Sequence, residues 1–168
     1  MRLEKGYLHW KSDILTEFDP FETGLERFVR MDKGEFVGKA ALERRMTEGP
    51  RRKLVMLDID CDDRPAHGGA SVMHQARVVG TVTSGGWGHR TGLNLALAFV
   101  EPDLAAGTTK LQIDMIGNLF DAAVIGRSPY DPSNLRVRQG PPLSGPHSIR
   151  EAATRALANA AGTRHDAS

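Results

Sequence analysis

The chain has 168 residues, with 22 Lys and Arg against 21 Asp and Glu, giving a formal charge of +1. That length accommodates one domain with appendages rather than two large enzyme domains, and the balanced charge argues against electrostatic wrapping of nucleic acid. The single cysteine, Cys61, excludes an internal disulfide framework and a cysteine-rich zinc module, and it fits a reducing, cytoplasmic setting.

Along the chain, the first zone is residues 1–50. Its opening stretch carries Arg2, Glu4, Lys5, His9 and Lys11 without the apolar run of a secretory signal. Nowhere do 18 apolar residues run together, so no membrane span is expected. Asp19-Pro20 followed by Phe21 to Leu25 reads as an irregular segment packed by its aromatics, because Gly24 interrupts any helix. Asp32 to Glu35 reads as a turn. A short helix is expected near 39–47, with Ala40, Ala41, Leu42 and Met46 along one side and Gly49-Pro50 as its stop.

The second zone, residues 51–135, reads as strands: Lys53–Ile59, a short one near Ala70–Met73, Ala76–Thr83, Leu93–Val100, Lys110–Met115 and Leu119–Ile125. Several alternate with a period of two, and Gly68-Gly69, Gly85-Gly86, Ala106-Gly107 and Gly117-Asn118 fall between them as expected turns. No dozen-residue helical crossover separates the strands, which argues against a parallel sheet. The fold class is therefore mainly β: a six-stranded antiparallel barrel of Greek-key or jelly-roll type, whose closure removes unpaired edges. It carries an N-terminal α or irregular segment and a C-terminal helical tail. In that tail, residues 136–168, Gln139 to Pro146 reads as linker and His147 to Ala161 as a short helix.

Two constellations offer chemistry. In Arg2, Glu4, Lys5, Tyr7, His9 and Trp10, an arginine beside a carboxylate can hold an anion while planar side chains stack on a ring. Alternatively, Glu4 pairs with Arg2 or Lys5, and Tyr7 and Trp10 pack on a neighbouring domain. Thr83 to Gly92 combines closely spaced glycines with Ser84, Trp87, His89 and Arg90. It matches neither dinucleotide nor P-loop spacing. It reads as a long hairpin connection or as a loop at the mouth of a ligand cleft. Cys61, His67 and His74 lack metal-ligand spacing, and Asp58, Asp60, Asp62 and Asp63 read as a solvated acidic turn, so no metal is expected. The basic run of Arg44, Arg45, Arg51, Arg52 and Lys53 permits RNA binding, but the strands show no aromatic stacking ladder.

Arg2-Leu3-Glu4-Lys5-Gly6-Tyr7 with Trp10 resembles the interior sequence of the glycine-cleavage T-protein (aminomethyltransferase) family, and most of all the folate-binding portion of dimethylglycine and sarcosine dehydrogenases. The likeness continues through Pro20 to Leu25, Asp32 to Leu42, Val82 to His89 and Leu95 to Val100, and ends at Ser128-Pro129-Tyr130-Asp131-Pro132. It covers about residues 1–135. The resemblance implies a terminal barrel preceded by a remnant of the central folate-binding region, so that residues 1–50 form one wall against the barrel. It makes Arg2 a candidate tetrahydrofolate contact, with Glu4 and Tyr7 supporting that wall. Ser84, Trp87, His89 and Arg90 would lie on a cleft or interdomain loop. It also implies that the acidic catalytic residue and most of the folate pocket lie upstream of Arg2. On that basis the expected partner is a folate-binding domain or separate subunit, or a second copy of the chain. No FAD site is expected in this chain. The competing role is a non-catalytic interaction or assembly barrel.

Overall fold

The structure, a computed structural model, describes residues 2–107 and 109–139. The helix expected over 147–161 lies outside the described residues. Met1–Pro132 forms one compact unit, and a second unit begins at Ser133. Of the second, the described part contains the single helical turn α3, Leu135–Arg138.

The first unit is built on six strands: β1 (Lys53–Ile59), β2 (Ser71–His74), β3 (Arg77–Gly88), β4 (Leu93–Val100), β5 (Lys110–Met115) and β6 (Asn118–Ile125). They close into an antiparallel barrel in the order β1-β4-β3-β2-β5-β6, with β6 pairing back onto β1. Inside, Val55, Leu57, Val72, Val79, Val82, Ala96, Ala98, Leu111 and Ile113 form the main core. Closure leaves no free edge, as the polar turns and short strands required.

The alternation of β1 and β4 is imperfect because both of their faces are buried. On the outer face, Leu54, Met56, Leu95, Leu97 and Phe99 form a second apolar cluster beneath Leu3, Leu8 and Phe18 of the N-terminal segment. The rings of Phe18 and Phe99 stack at 3.7 Å. The chain before the barrel is thereby held by hydrophobic burial against one side of it.

Two expectations are corrected. Asp19 to Leu25 is not irregular: Pro20–Thr23 makes one helical turn, α1. Asp19 accepts from the backbone N–H groups of Phe21 and Glu22, and the Glu22 carboxylate accepts from the Asp19 N–H. This reciprocal cap, with Pro20 at the first position, nucleates the turn, and Gly24 in the left-handed region ends it. Nor do Gly85 and Gly86 form a turn between strands, since β3 runs through them to Gly88. They are small because the backbone passes close to neighbours. A Cβ on Gly85 would lie 2.0 Å from the Ala66 carbonyl oxygen, and one on Gly86 would touch Leu3.

The helix α2 spans Lys39–Glu48 and has no buried residue. Ala40, Ala41 and Met46 are exposed rather than packed. Arg45 ties the helix to the rest of the unit through Asp19 at 2.7 Å and Glu22 at 3.4 Å.

Candidate functional site

The sequence motifs converge where the N-terminal segment crosses β3. Leu3–Lys5 forms a 3₁₀ turn ended by Gly6 in the left-handed conformation. A side chain at Gly6 would collide with the Arg127 carbonyl, 2.1 Å from the would-be Cβ. Arg127, just beyond β6, reaches across and donates to the carbonyls of Thr23 (2.6 Å) and Gly24 (3.3 Å). The segment is therefore pinned from two directions.

At the centre of the crossing is Asp13, whose side chain is fully buried. Its Oδ2 accepts from Arg2 Nη1 and from the His9 N–H, both at 2.7 Å. Its Oδ1 accepts from Thr83 Oγ1 at 2.5 Å and from Ser84 Oγ. In a regular strand, successive side chains point to opposite faces. Thr83 and Ser84 can both reach Asp13 because the β3–β4 register shifts between Val82 and Ser84, a bulge that adds one residue at this point. Arg2 also donates to the Tyr7 carbonyl at 2.9 Å. Its side chain remains about one-third exposed (36%), so the guanidinium is both anchored and accessible.

Glu4 is buried and faces the other way. Its Oε1 accepts from the N–H groups of Arg90 (2.7 Å) and Thr91 (3.1 Å), fixing the short β3–β4 turn. Burial works against its charge, but the hydrogen bonds it accepts outweigh that and hold the carboxyl below the usual range. The Tyr130 N–H donates to the Glu4 carbonyl, and Lys5 donates to Asp131. Arg90 lies over the Tyr130 ring at 5.3 Å, and its Nη1 donates to the Tyr130 hydroxyl at 3.3 Å. Thus Arg2-to-Tyr7, Thr83-to-Gly92 and Ser128-to-Pro132, which are far apart in sequence, meet in one junction.

The expected site residues divide within it. Arg2 and Tyr7 reach the surface, Tyr7 at 57% exposure and neighbouring Trp10 at 60%. Glu4 is enclosed behind them. Ser84 and Trp87 belong to β3 rather than to a loop, while His89 and Arg90 occupy the exposed turn. Trp87 lines a different feature, a cavity of about 510 Å³ bordered by Asp58, Asp60, Asp62, Lys110 and Asp121. Burial, with Asp60 nearby, pushes the Asp58 carboxyl up despite the hydrogen bond it receives from the Asn94 backbone. Among the described residues no cluster of His, Cys, Asp or Glu is disposed to hold a metal ion. Likewise, none of their helices is long and apolar enough to cross a membrane. The Cys61 thiol is buried and donates to Asp63.

Asp13 and Arg127, which fasten the N-terminal segment, are not among the candidates the sequence offers. Asp13 sits in a polar stretch with nothing local to mark it, because two of its four donors, Thr83 and Ser84, come from β3. Arg127 follows a strand, and two left-handed glycines over 100 residues away in the chain make room for it.

Comparison with known proteins bears on this junction. Residues 52–131 match the family model described as the glycine cleavage T-protein C-terminal barrel domain. The chain is 35% identical over 126 residues to mitochondrial dimethylglycine dehydrogenase of Mus musculus, spanning 74% of this chain and 14% of that protein. It is 34% identical over 135 residues to an aminomethyltransferase of Nostoc sp., spanning 80% of this chain and 36% of that one. Among solved structures, the glycine cleavage system aminomethyltransferase T of Bartonella henselae superposes with a TM-score of 0.73 at 25% identity, over 77% of this chain and 37% of that chain. The chain therefore spans well under half the length of these relatives.

Proposed function

Because the barrel of this chain belongs to the glycine cleavage T-protein C-terminal barrel domain family, we propose that the chain is a folate-linked domain of aminomethyltransferase type. It serves transfer of a one-carbon unit from glycine or an N-methylglycine to tetrahydrofolate. It does so together with a folate-binding domain or separate subunit equivalent to the part of its relatives that it does not span. The observation that carries this proposal is the surface wall of Arg2, Tyr7 and Trp10, locked to the barrel from behind by Asp13 and Glu4.

The residues suit the chemistry of the ligand. Tetrahydrofolate supplies a nucleophilic amine on a flat heterocycle. Exposed Tyr7 and Trp10 rings offer stacking faces, and Arg2 offers a fixed donor to an acceptor atom or carboxylate. Such a transfer needs the amine held beside an electrophilic carbon and a group to take its proton. Glu4 contributes by holding the 89–92 turn behind the wall rather than by touching the ligand. A partner is supported by Phe28, Val37 and Met46, large apolar side chains that are all exposed, and by α2, which buries no residue against the barrel. A second copy of the chain is the competing occupant of that surface. A cytoplasmic setting belongs to the same proposal, and the single cysteine, Cys61, is compatible with it.

Isothermal titration with tetrahydrofolate tests the proposal, using the chain alone and the chain mixed with the upstream portion of an aminomethyltransferase relative. Saturable binding in the mixture, lost or weakened at least tenfold by Arg2→Ala, is expected. Binding in the mixture that ignores Arg2→Ala removes Arg2 from the wall. Absence of binding in the mixture overturns the folate assignment.

A further inference from the structure

A line of hydrogen bonds runs from the surface to the buried carboxylate: His9 Nδ1 lies 3.2 Å from Ser12 Oγ, Ser12 Oγ lies 3.3 Å from Ser84 Oγ, and Ser84 Oγ contacts Asp13 Oδ1. The direction of each bond follows from counting hydrogens. Asp13, ion-paired with Arg2, has only acceptor oxygens, so the Ser84 hydroxyl must donate to it. With its one hydrogen committed there, Ser84 can only accept from Ser12. Ser12 has then committed its own hydrogen and can only accept from the imidazole. Any other assignment leaves two oxygens, or an oxygen and a nitrogen, in contact with no hydrogen between them. The relay thus ends on a His9 that carries its proton on Nδ1.

From this we infer that neutral His9 is held in the Nδ1–H form and presents Nε2 as a proton acceptor on the same wall as Arg2. His9 is exposed and its own N–H is tied to Asp13, so the ring is fixed at its root and open at its far side. The chemical class of ligand group it takes is an N–H donor, an ammonium group. The proton would pass from that nitrogen to Nε2, giving an imidazolium whose Nδ1–H stays on Ser12, while the nitrogen keeps its electron pair for bond formation. Asp13 is the positioning residue, acting through two serines. The ligand class rests on the folate reading above, but the protonation pattern of His9 does not.

The test is the nitrogen-15 spectrum of the imidazole in the full chain, recorded above the titration range of histidine, with the His9 signals assigned by His9→Gln. The expected result is a protonated Nδ1 and an unprotonated Nε2. Ser12→Ala, at a half-buried position, should cost the ring that bias and return it toward the Nε2–H form that free imidazoles of histidine favour. Ser84→Ala should do the same, and Ser84→Thr, which keeps the hydroxyl, should restore the Nδ1–H pattern. A wild-type ring protonated on Nε2, or a pattern indifferent to Ser12→Ala in a folded chain, overturns the inference. No folate is present in this measurement. Its failure would therefore leave the one-carbon proposal standing, and failure of the folate titration would leave the relay intact.

Discussion

Replacing Asp13 with alanine should loosen the whole N-terminal segment from the barrel. The carboxylate is fully buried and takes four donors: Arg2, the His9 N–H, Thr83 and Ser84. Removing one partner of a buried ion pair costs about 3–5 kcal/mol, chiefly because the other charge is left uncompensated. Arg2 is about one-third exposed and can recover some hydration, which places the ion-pair loss at the lower end. The orphaned hydroxyls and N–H add to it, at about 1–3 kcal/mol for a buried unsatisfied group, although neighbouring losses do not simply add. A total near 3–4 kcal/mol is a large share of the roughly 5–15 kcal/mol that holds a domain together. Urea denaturation reads it directly. With a slope of about 2 kcal/mol per molar, the midpoint should fall by about 1.5–2 M at unchanged slope. Asp13→Asn keeps one acceptor oxygen for Thr83 and Ser84 and should lose less. A midpoint drop under about 0.5 M for Asp13→Ala, in a single cooperative transition, would refute the view that this carboxylate fastens the segment.

Further outcomes follow from neighbouring contacts. Gly85→Ala places a Cβ against the Ala66 carbonyl, so it should destabilise the barrel by about 1–3 kcal/mol or more, read as a drop in thermal midpoint. For Asp19, burial pushes the carboxyl up, but the Arg45 guanidinium and the N–H groups of Glu22 and Phe21 outweigh it and hold it below the usual range. Its folded value is depressed, so the stability it contributes is present above the unfolded carboxylate value of about 3.9 and fades as pH falls through the folded value. The stability gap between wild type and Asp19→Asn should therefore be constant from neutral pH down to about 5 and close below that. A gap that widens on acidification would contradict the sign. Glu22→Ala removes the acceptor shared by the Arg51 and Arg52 N–H groups and leaves Arg45 tied to Asp19 alone of its two partners before α2. It should loosen α2, detected as faster amide exchange over 39–48 with the barrel amides unchanged.

The barrel was legible because period-two patterns and glycine turns are local signals. The outer-face role of β1 and β4 was not, since Leu54, Met56, Leu95 and Leu97 interrupt alternation only when a second layer covers them. Gly85 and Gly86 misled for a physical reason: a glycine needed for close backbone approach looks the same in sequence as one needed for a turn. The cap of α1 was present as Asp19-Pro20-Phe21-Glu22 followed by Gly24 and was hidden by its brevity. In the junction, Arg2 and Tyr7 stand in a motif that is legible in the sequence. The His9–Ser12–Ser84–Asp13 line joins residues up to 75 positions apart across a strand bulge, and such pairing is a property of the fold. The α2 helix shows the converse: its one-sided apolar pattern was visible, but the surface it would face is not supplied by the described residues.

Amide exchange over the chain, measured with and without tetrahydrofolate in the presence of the upstream portion of a relative, addresses the one-carbon assignment most directly. Slowed exchange concentrated in residues 2–13 and 83–92 is expected, because the proposed wall and its supports lie there. Slowing confined to β5 and β6, around residues 110–125, would place the ligand elsewhere and contradict the account.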